Sequence, residues 1–320
     1  MKKKILFSIF ALAVSAGILQ VGSVFADGEE GNAPSQSLAP LAPQVFGPIN
    51  PRLTFSKAAH VANGVALMNR TSGWIHLRGV PKNSRVVRAI LYWTFLDSVQ
   101  TGPAFSPVLF NGNRVNGAKA ADSNGGDWSD VTRAHTYRAN VTGFIPNTNP
   151  NQDYEVIPVF NMATKTTGYN EAQLKRLEGA TLVVIYTNAS LGDSNNVFIY
   201  DTSNEMEFST GGATFTLNHP TLSGLGLFTM CGADGQRGTT GYDNALANET
   251  GTFDGTQISG PSVAPSDWDG SAGLPLPQCW DVHSHLVTLS GTSSVVTYTP
   301  APTPDRLVPV IFVLQRGFDN

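Results

Sequence analysis

V-V-R-A-I-L-Y-W-T-F-L, Val86 to Leu96, is an almost unbroken apolar run of β-branched and aromatic residues with no helical spacing. A strand half open to water alternates apolar with polar side chains, so an unbroken run is read as a strand covered on both faces. Ala180 to Tyr186 (A-T-L-V-V-I-Y) and Leu307 to Leu314 (L-V-P-V-I-F-V-L) share that character. Placed side by side, the three runs form the middle of an all-β fold, an antiparallel β-sandwich of jelly-roll-like type built from one pair of stacked sheets.

Shorter strands are expected around them at Val61–Met68, Trp74–Leu77, Tyr154–Phe160, Val197–Tyr200, Ala213–Leu217 and Leu225–Met230. Asn111-Gly112 sits between the apolar residues of Pro107–Phe110 and Arg114–Val115, and an Asn-Gly pair supplies the positive φ values that a tight hairpin needs. Toward the C-terminus, Trp280–Leu289 and Val295–Tyr298 read as two strands joined at Ser290-Gly291-Thr292. Tyr137–Val141 has some helical character, and N-E-A-Q-L-K-R-L, Asn170 to Leu177, is the one short helix. Gly232 to Gln278 is rich in Gly, Asp, Asn, Ser and Pro and reads as a long irregular insertion, the kind of loop that tends to carry function.

Lys2 to Lys4, the apolar stretch Ile5–Leu19 and Val24-Phe25-Ala26 have the order of a secretory signal peptide, giving residues 1–26 a leader role. The apolar stretch is shorter than the roughly 20 residues of a spanning helix. Without its three lysines the chain has 17 basic and 24 acidic residues, a formal −7, so nucleic acid is an unsuitable partner. No later stretch is long and apolar enough for a transmembrane segment in the mature chain. Residues 27–52 carry five prolines and read as an extended tether, able to self-associate by adding to a neighbour's sheet edge. Residues 53–320 form the sandwich, a length that also permits two coupled halves, 53–208 and 209–320. In a secreted chain the two cysteines, Cys231 and Cys279, are most simply a disulfide.

Several short motifs resemble a family of exported prokaryotic cell-surface β-sandwich domains of unknown function, found in envelope, S-layer-associated and adhesin-like proteins. They are A-I-L-Y-W at Ala89–Trp93, F-N-G-N-R-V at Phe110–Val115, D-V-T at Asp130–Thr132, G-A-T-L-V-V-I-Y at Gly179–Tyr186 and F-I-Y-D at Phe198–Asp201. W-D-V-H-S-H-L at Trp280–Leu286 and D-R-L-V-P-V-I-F-V-L at Asp305–Leu314 are similar to that family's C-terminal half. The resemblance implies a surface location and brings no catalytic residues.

Chemistry has few places to reside. Asp281, His283 and His285 alternate along a strand and so share a face, a set able to bind zinc or copper, with His219 or Asp243 as a further ligand. Calcium is the other candidate ion, at Asp122, Asp127 and Asp130 or at Asp234, Asp243, Asp254, Asp267 and Asp269. There is neither a G-x-S-x-G elbow nor an H-E-x-x-H helix, and nothing places two of Glu171, Glu178, Glu205 and Glu207 across a cleft. Trp268, Trp128 and Tyr242 stand in polar, loop-like settings where a ring can stack on a sugar. The leading expectation is a secreted, non-catalytic structural or adhesive protein whose partner is an extracellular protein or glycan and which needs no cofactor. A carbohydrate-binding module using loop aromatics and a metal-dependent hydrolase centred on Asp281, His283 and His285 are the alternatives.

Overall fold

The computed structural model describes residues 44–67, 70, 72–97, 107–122, 133–159, 176–202, 212–233, 235, 249–260, 263, 266–272, 280–299 and 307–317. The expected leader, Trp128, Tyr242 and Cys279 lie outside the described residues. The fold is an all-β sandwich of antiparallel sheets, but with three sheets where one stacked pair was expected.

At the centre is a five-stranded sheet in the order β3 (Ala59–Ala66), β11 (Arg176–Thr187), β5 (Arg85–Asp97), β9 (Arg133–Asn140) and β8 (Ala118–Asp122). A small sheet covers one face, in the order β4 (Gly73–His76), β10 (Asp153–Pro158), β6 (Pro107–Phe110) and β7 (Asn113–Asn116). An eight-stranded sheet covers the other. Its order is β15 (Thr256–Ser259), β14 (Thr250–Phe253), β16 (Trp280–Thr299), β13 (Ala213–Ala233), β17 (Val308–Arg316), β12 (Asn196–Asp201) and β2 (Leu53–Ser56), and β1 (Gln44–Ile49) lies parallel to β13.

Two of the three apolar runs, β5 and β11, are neighbours, with Leu91 opposite Leu182 and Ile90 opposite Val183. Their odd and even residues enter different cores. Leu91, Trp93, Leu182 and Val184 meet Ile75, Phe110 and Tyr154 of the small sheet's strands and connections. Ile90, Tyr92, Val183 and Ile185 meet Ile199, Ile311 and Val313 of the large sheet, the last two from the third run. Burying an aliphatic or aromatic side chain is worth about 1.5–3 kcal/mol. A strand that gains this on both faces has no use for alternation, which is why these runs are unbroken.

A third core lies on the far face of the large sheet, where Phe198, Phe215, Phe228, Phe312 and Tyr298 cluster with Trp268. It is closed by segments that the sequence reading treated as irregular. The insertion contains the β14–β15 hairpin, which pairs with the far end of β16, Thr250 opposite Thr299. The end of the proline-rich tether is β1, whose Phe46 stacks on Phe215 at 5.2 Å.

Other expectations are corrected by long-range pairing. Trp280–Leu289 and Val295–Tyr298 are one strand, because β16 follows β13 throughout and Gly291 (φ 75°) only marks the register break near Leu222. Arg176 and Leu177, placed in the short helix, belong to β11, and the rest of that segment lies outside the described residues. Residues 137–140 are strand, held by Tyr137 and Arg138 opposite Trp93 and Tyr92. The Asn-Gly hairpin forms as read, with Asn111 and Gly112 at φ 47° and 74°. Strands β2 and β12 of the first half complete the large sheet, so the two halves share one sheet.

One residue locks the large sheet to the central one. The Trp280 indole, fully buried, donates from Nε1 to Thr181 Oγ1 at 2.9 Å and lies against the bare backbone of Gly179. A Cβ at Gly179 would stand 2.3 Å from the ring. Gly179→Ala is therefore expected to destabilise the protein by about 1–3 kcal/mol through overpacking. A lowered urea midpoint with unchanged m-value is the expected readout, and an unchanged midpoint would show that the ring can give way.

Candidate functional site

The densest polar cluster is on the far face of the large sheet, at the start of β16. Asp281, His283 and His285 project to that side together, as alternate residues of a strand must. The segment Ser266–Ala272 crosses over them. Asp281 Oδ1 accepts from the backbone N–H of Gly270 (2.7 Å) and of Ser271 (3.4 Å). His283 Nε2 lies 3.2 Å from Asp269 Oδ1, 3.5 Å from Asp281 Oδ1 and 3.2 Å from Ser271 Oγ. His285 Nε2 is 2.5 Å from Asp267 Oδ1, and the second oxygen of Asp267 accepts from Tyr298 Oη at 2.9 Å. Strand and crossing segment are thus joined by three successive carboxylate contacts. The segment then continues to the central sheet, with Ala272 N bonded to Trp280 O and Ala66 N bonded to Ala272 O, each at 2.9 Å.

The crossing segment sits flat because its own tryptophan is turned inward. Trp268 is 1% exposed, packs edge-on to Tyr298 at 5.4 Å, and rests on Gly232, where a Cβ would be 2.1 Å from its ring. This corrects the reading of Trp268 as an exposed sugar-stacking ring. S-D-W-D-G reads as a polar turn, and the glycine that makes room for the indole stands on a distant strand.

The expected metal set is also regrouped. Asp281 and His283 do come together, but the third residue is Asp269, and His285 belongs to the adjacent pair with Asp267. Asp269, Asp281 and His283 each offer one ligand atom within 4.8 Å of the others, a set of two carboxylates and an imidazole that suits a divalent cation. Asp281 is completely buried, and its Oδ2 has no hydrogen-bond partner among the described residues. His219, weighed as a further ligand, is engaged with Ser294 Oγ at 3.1 Å.

A proton on His283 meets the same demand as a cation. Burial pulls its imidazolium down, but hydrogen bonds to Asp269 and Asp281 and the nearby carboxylate charges outweigh this and push it up to about 10. Burial pushes the Asp281 carboxyl up to about 7, opposed by the hydrogen bond and charge of His283.

Among the aspartates considered for calcium, Asp122 pairs with Lys119 Nζ (2.7 Å) and His135 Nδ1 (2.6 Å), and Asp254 accepts from Val295 N (2.6 Å) in the β14–β15 turn. Asp127, Asp130, Asp234 and Asp243 lie outside the described residues. Cys231 is a free, buried thiol, and burial pushes it up to about 12. A free thiol there corrects the expected disulfide, whose other member, Cys279, lies outside the described residues.

Sequence reading missed one concave feature, a cleft of about 570 Å³ where all three sheets meet. Leu53 of the large sheet's edge forms one wall, Arg88 and Arg138 come from the central sheet, and Arg114 comes from the small one. The exposed ring of Phe144 lies at its rim. Charge counting found no basic cluster because these arginines are far apart in the chain.

A folded-state pKa above the unfolded 6.5 means that the stabilisation from His283 is complete below pH 6.5 and is lost as pH rises through about 10. Urea unfolding of the wild type is expected to show stability falling between pH 7 and 9, and His283→Gln to flatten that slope. His283→Ala at pH 7 is expected to cost about 3–5 kcal/mol, because two buried carboxylates lose their cation. A slope identical in wild type and His283→Gln would place the titration elsewhere.

In comparisons with known proteins, this chain matches no family model and no curated protein. Among solved structures it is similar to a beta-porphyranase of glycoside hydrolase family 86 from the human gut bacterium Bacteroides plebeius, at 11% identity and a TM-score of 0.24, over 82% of this chain and 35% of that one. It is also similar to PNGF-II, at 10% identity and a TM-score of 0.28, over 82% of this chain and 66% of that one. A structure of the Sputnik virophage is similar at 8% identity and a TM-score of 0.22, over 89% of both chains. The chain spans about a third of the length of the porphyranase, and likenesses of this degree assign neither family nor activity.

Proposed function

We propose that this protein is a secreted, non-catalytic structural or adhesive component of a cell surface or extracellular matrix. The observation that carries the reading is the use made of the Asp–His cluster, the part of the described chain best equipped for proton transfer or metal chemistry. Asp267 and Asp281 are fully buried, and the side chains of His283 and His285 are only 9% and 10% exposed. These groups join the crossing segment to the sheet, where a hydrolase would need a position open to substrate beside its base or metal. Two further features agree with a surface role: the leader-like N-terminus, and strand β1, which ends the proline-rich arm and pairs with the first residues of β13 within its own chain. The resemblance to exported surface sandwich domains points the same way.

Electron microscopy of the purified mature protein is expected to show filaments, lattices or adherence to envelope preparations. Dispersed particles with no affinity for envelopes would overturn the reading. As a check on the hydrolase alternative, activity toward a panel of glycosides and esters is expected to be absent and unaffected by zinc. Zinc-dependent turnover abolished by Asp281→Asn would establish that alternative instead.

A further inference from the structure

Part of the central sheet lies open beside β2, the edge strand of the large sheet. That strand begins at Leu53, which lines a cleft together with Arg88, Ile90, Arg138 and Asn140 of the central sheet. Ile90 stands opposite Asn140 in the β5–β9 ladder and Tyr92 opposite Arg138, so Arg88, Ile90, Arg138 and Asn140 occupy that one face. Arg114 and Asn116 of β7 close the other side, and Phe144, in the 3-10 turn Thr142–Phe144, stands at the rim with 39% of its surface exposed.

The charge of this cleft opposes that of the chain. The whole sequence has a formal charge of −4, yet the cleft lining holds three arginines and no acidic side chain. Arg138 is fixed in place by an ion pair with Asp201, which also accepts from Tyr92 Oη at 2.9 Å. Other ion pairs of lysine and arginine join Lys57 to Asp193, Arg78 to Asp153 and Lys119 to Asp122. Arg88 and Arg114 take part in none of these. Arg52, next to Leu53, is near enough for its charge to act on Arg138. Positive charge thus gathers beside an aromatic ring, in a cleft within the size range of small-ligand sites.

Each component selects part of a ligand. A guanidinium fork matches a carboxylate with two parallel hydrogen bonds. The amides of Asn116 and Asn140 donate and accept at once, as neighbouring hydroxyls require. The half-exposed face of Phe144 suits the C–H face of a sugar ring. Single-stranded nucleic acid also combines phosphate with stackable bases, but its dense charge is disfavoured by a net acidic protein.

We infer that this cleft binds a carboxylated saccharide, a short stretch of a polyuronate chain, with Arg88 and Arg114 holding the carboxylate and Phe144 supporting a ring. The inference rests on the adhesive reading, since it names what such a surface would hold. It fails separately, because assembly or envelope adherence is measured without this ligand.

Calorimetric titration of the full mature protein with oligogalacturonate tests it, with a neutral oligosaccharide of equal length and oligothymidylate as controls. Binding is expected for the uronate and to weaken as salt is raised. Arg114→Ala, at an exposed position that leaves the fold intact, is expected to lower affinity at least tenfold, as is Arg88→Ala, with melting curves run beside both. Arg114→Lys is expected to restore only part of the loss, because it keeps the charge and loses the fork, and Phe144→Ala to weaken binding several-fold. The inference is overturned if the wild type ignores the uronate, binds the neutral oligosaccharide equally well, or is unaffected by both arginine substitutions. Tighter binding of oligothymidylate would make the cleft a nucleic-acid site.

Discussion

The structure depends on two strands, β5 and β11, that are packed on both faces from Ala89 to Phe95 and from Leu177 to Ile185. Over those residues each side chain must satisfy one of two packed layers, and a slip of one register position would exchange the two cores. That is a stronger constraint than an ordinary sandwich imposes, where a slip merely trades core for solvent. It is met by pairing large residues with bare backbone. The Trp280 ring needs Gly179, and the Trp268 ring needs Gly232. In both cases an indole replaces the side chain that the opposing strand lacks, so the layers approach closely without a void.

The same economy governs the polar groups. His60 of β3 binds Gln315 Oε1 at 2.8 Å and Thr229 Oγ1 at 2.8 Å, which ties the central sheet to β17 and β13 from within. Burial pulls this imidazole down to about 4, so it is neutral where His283 is charged. Two histidines of one domain are thus set to opposite protonation states by their surroundings. Desolvation prevails where the partners are an amide and a hydroxyl, and it is overcome where they are carboxylates.

Much of the fold was legible because it follows from local chemistry. The unbroken runs announced two-sided burial, and Asn111-Gly112 announced its hairpin. The meeting of Asp281 with His283 followed from the two-residue period of a strand. What stayed hidden depends on segments returning from far along the chain. Asp269 and Asp267 reach the strand only because the insertion folds back over it, and no periodicity in Gly232–Gln278 records that path. The hairpin β14–β15 is four residues per strand with glycines, too weak a pattern to read alone. The arginines of the cleft come from three strands of two sheets, and Arg138 looks no different in sequence from any other polar strand position.

Cys231 faces the layer between the large and central sheets, within hydrogen-bonding reach of the threonine that receives the Trp280 indole. Its thiol is protonated and sealed beneath both sheets, so an alkylating reagent meets it only after those sheets have parted. The rate at which that single sulfur becomes modified is therefore a clock for layer separation, reading the opening of the interior without any added label.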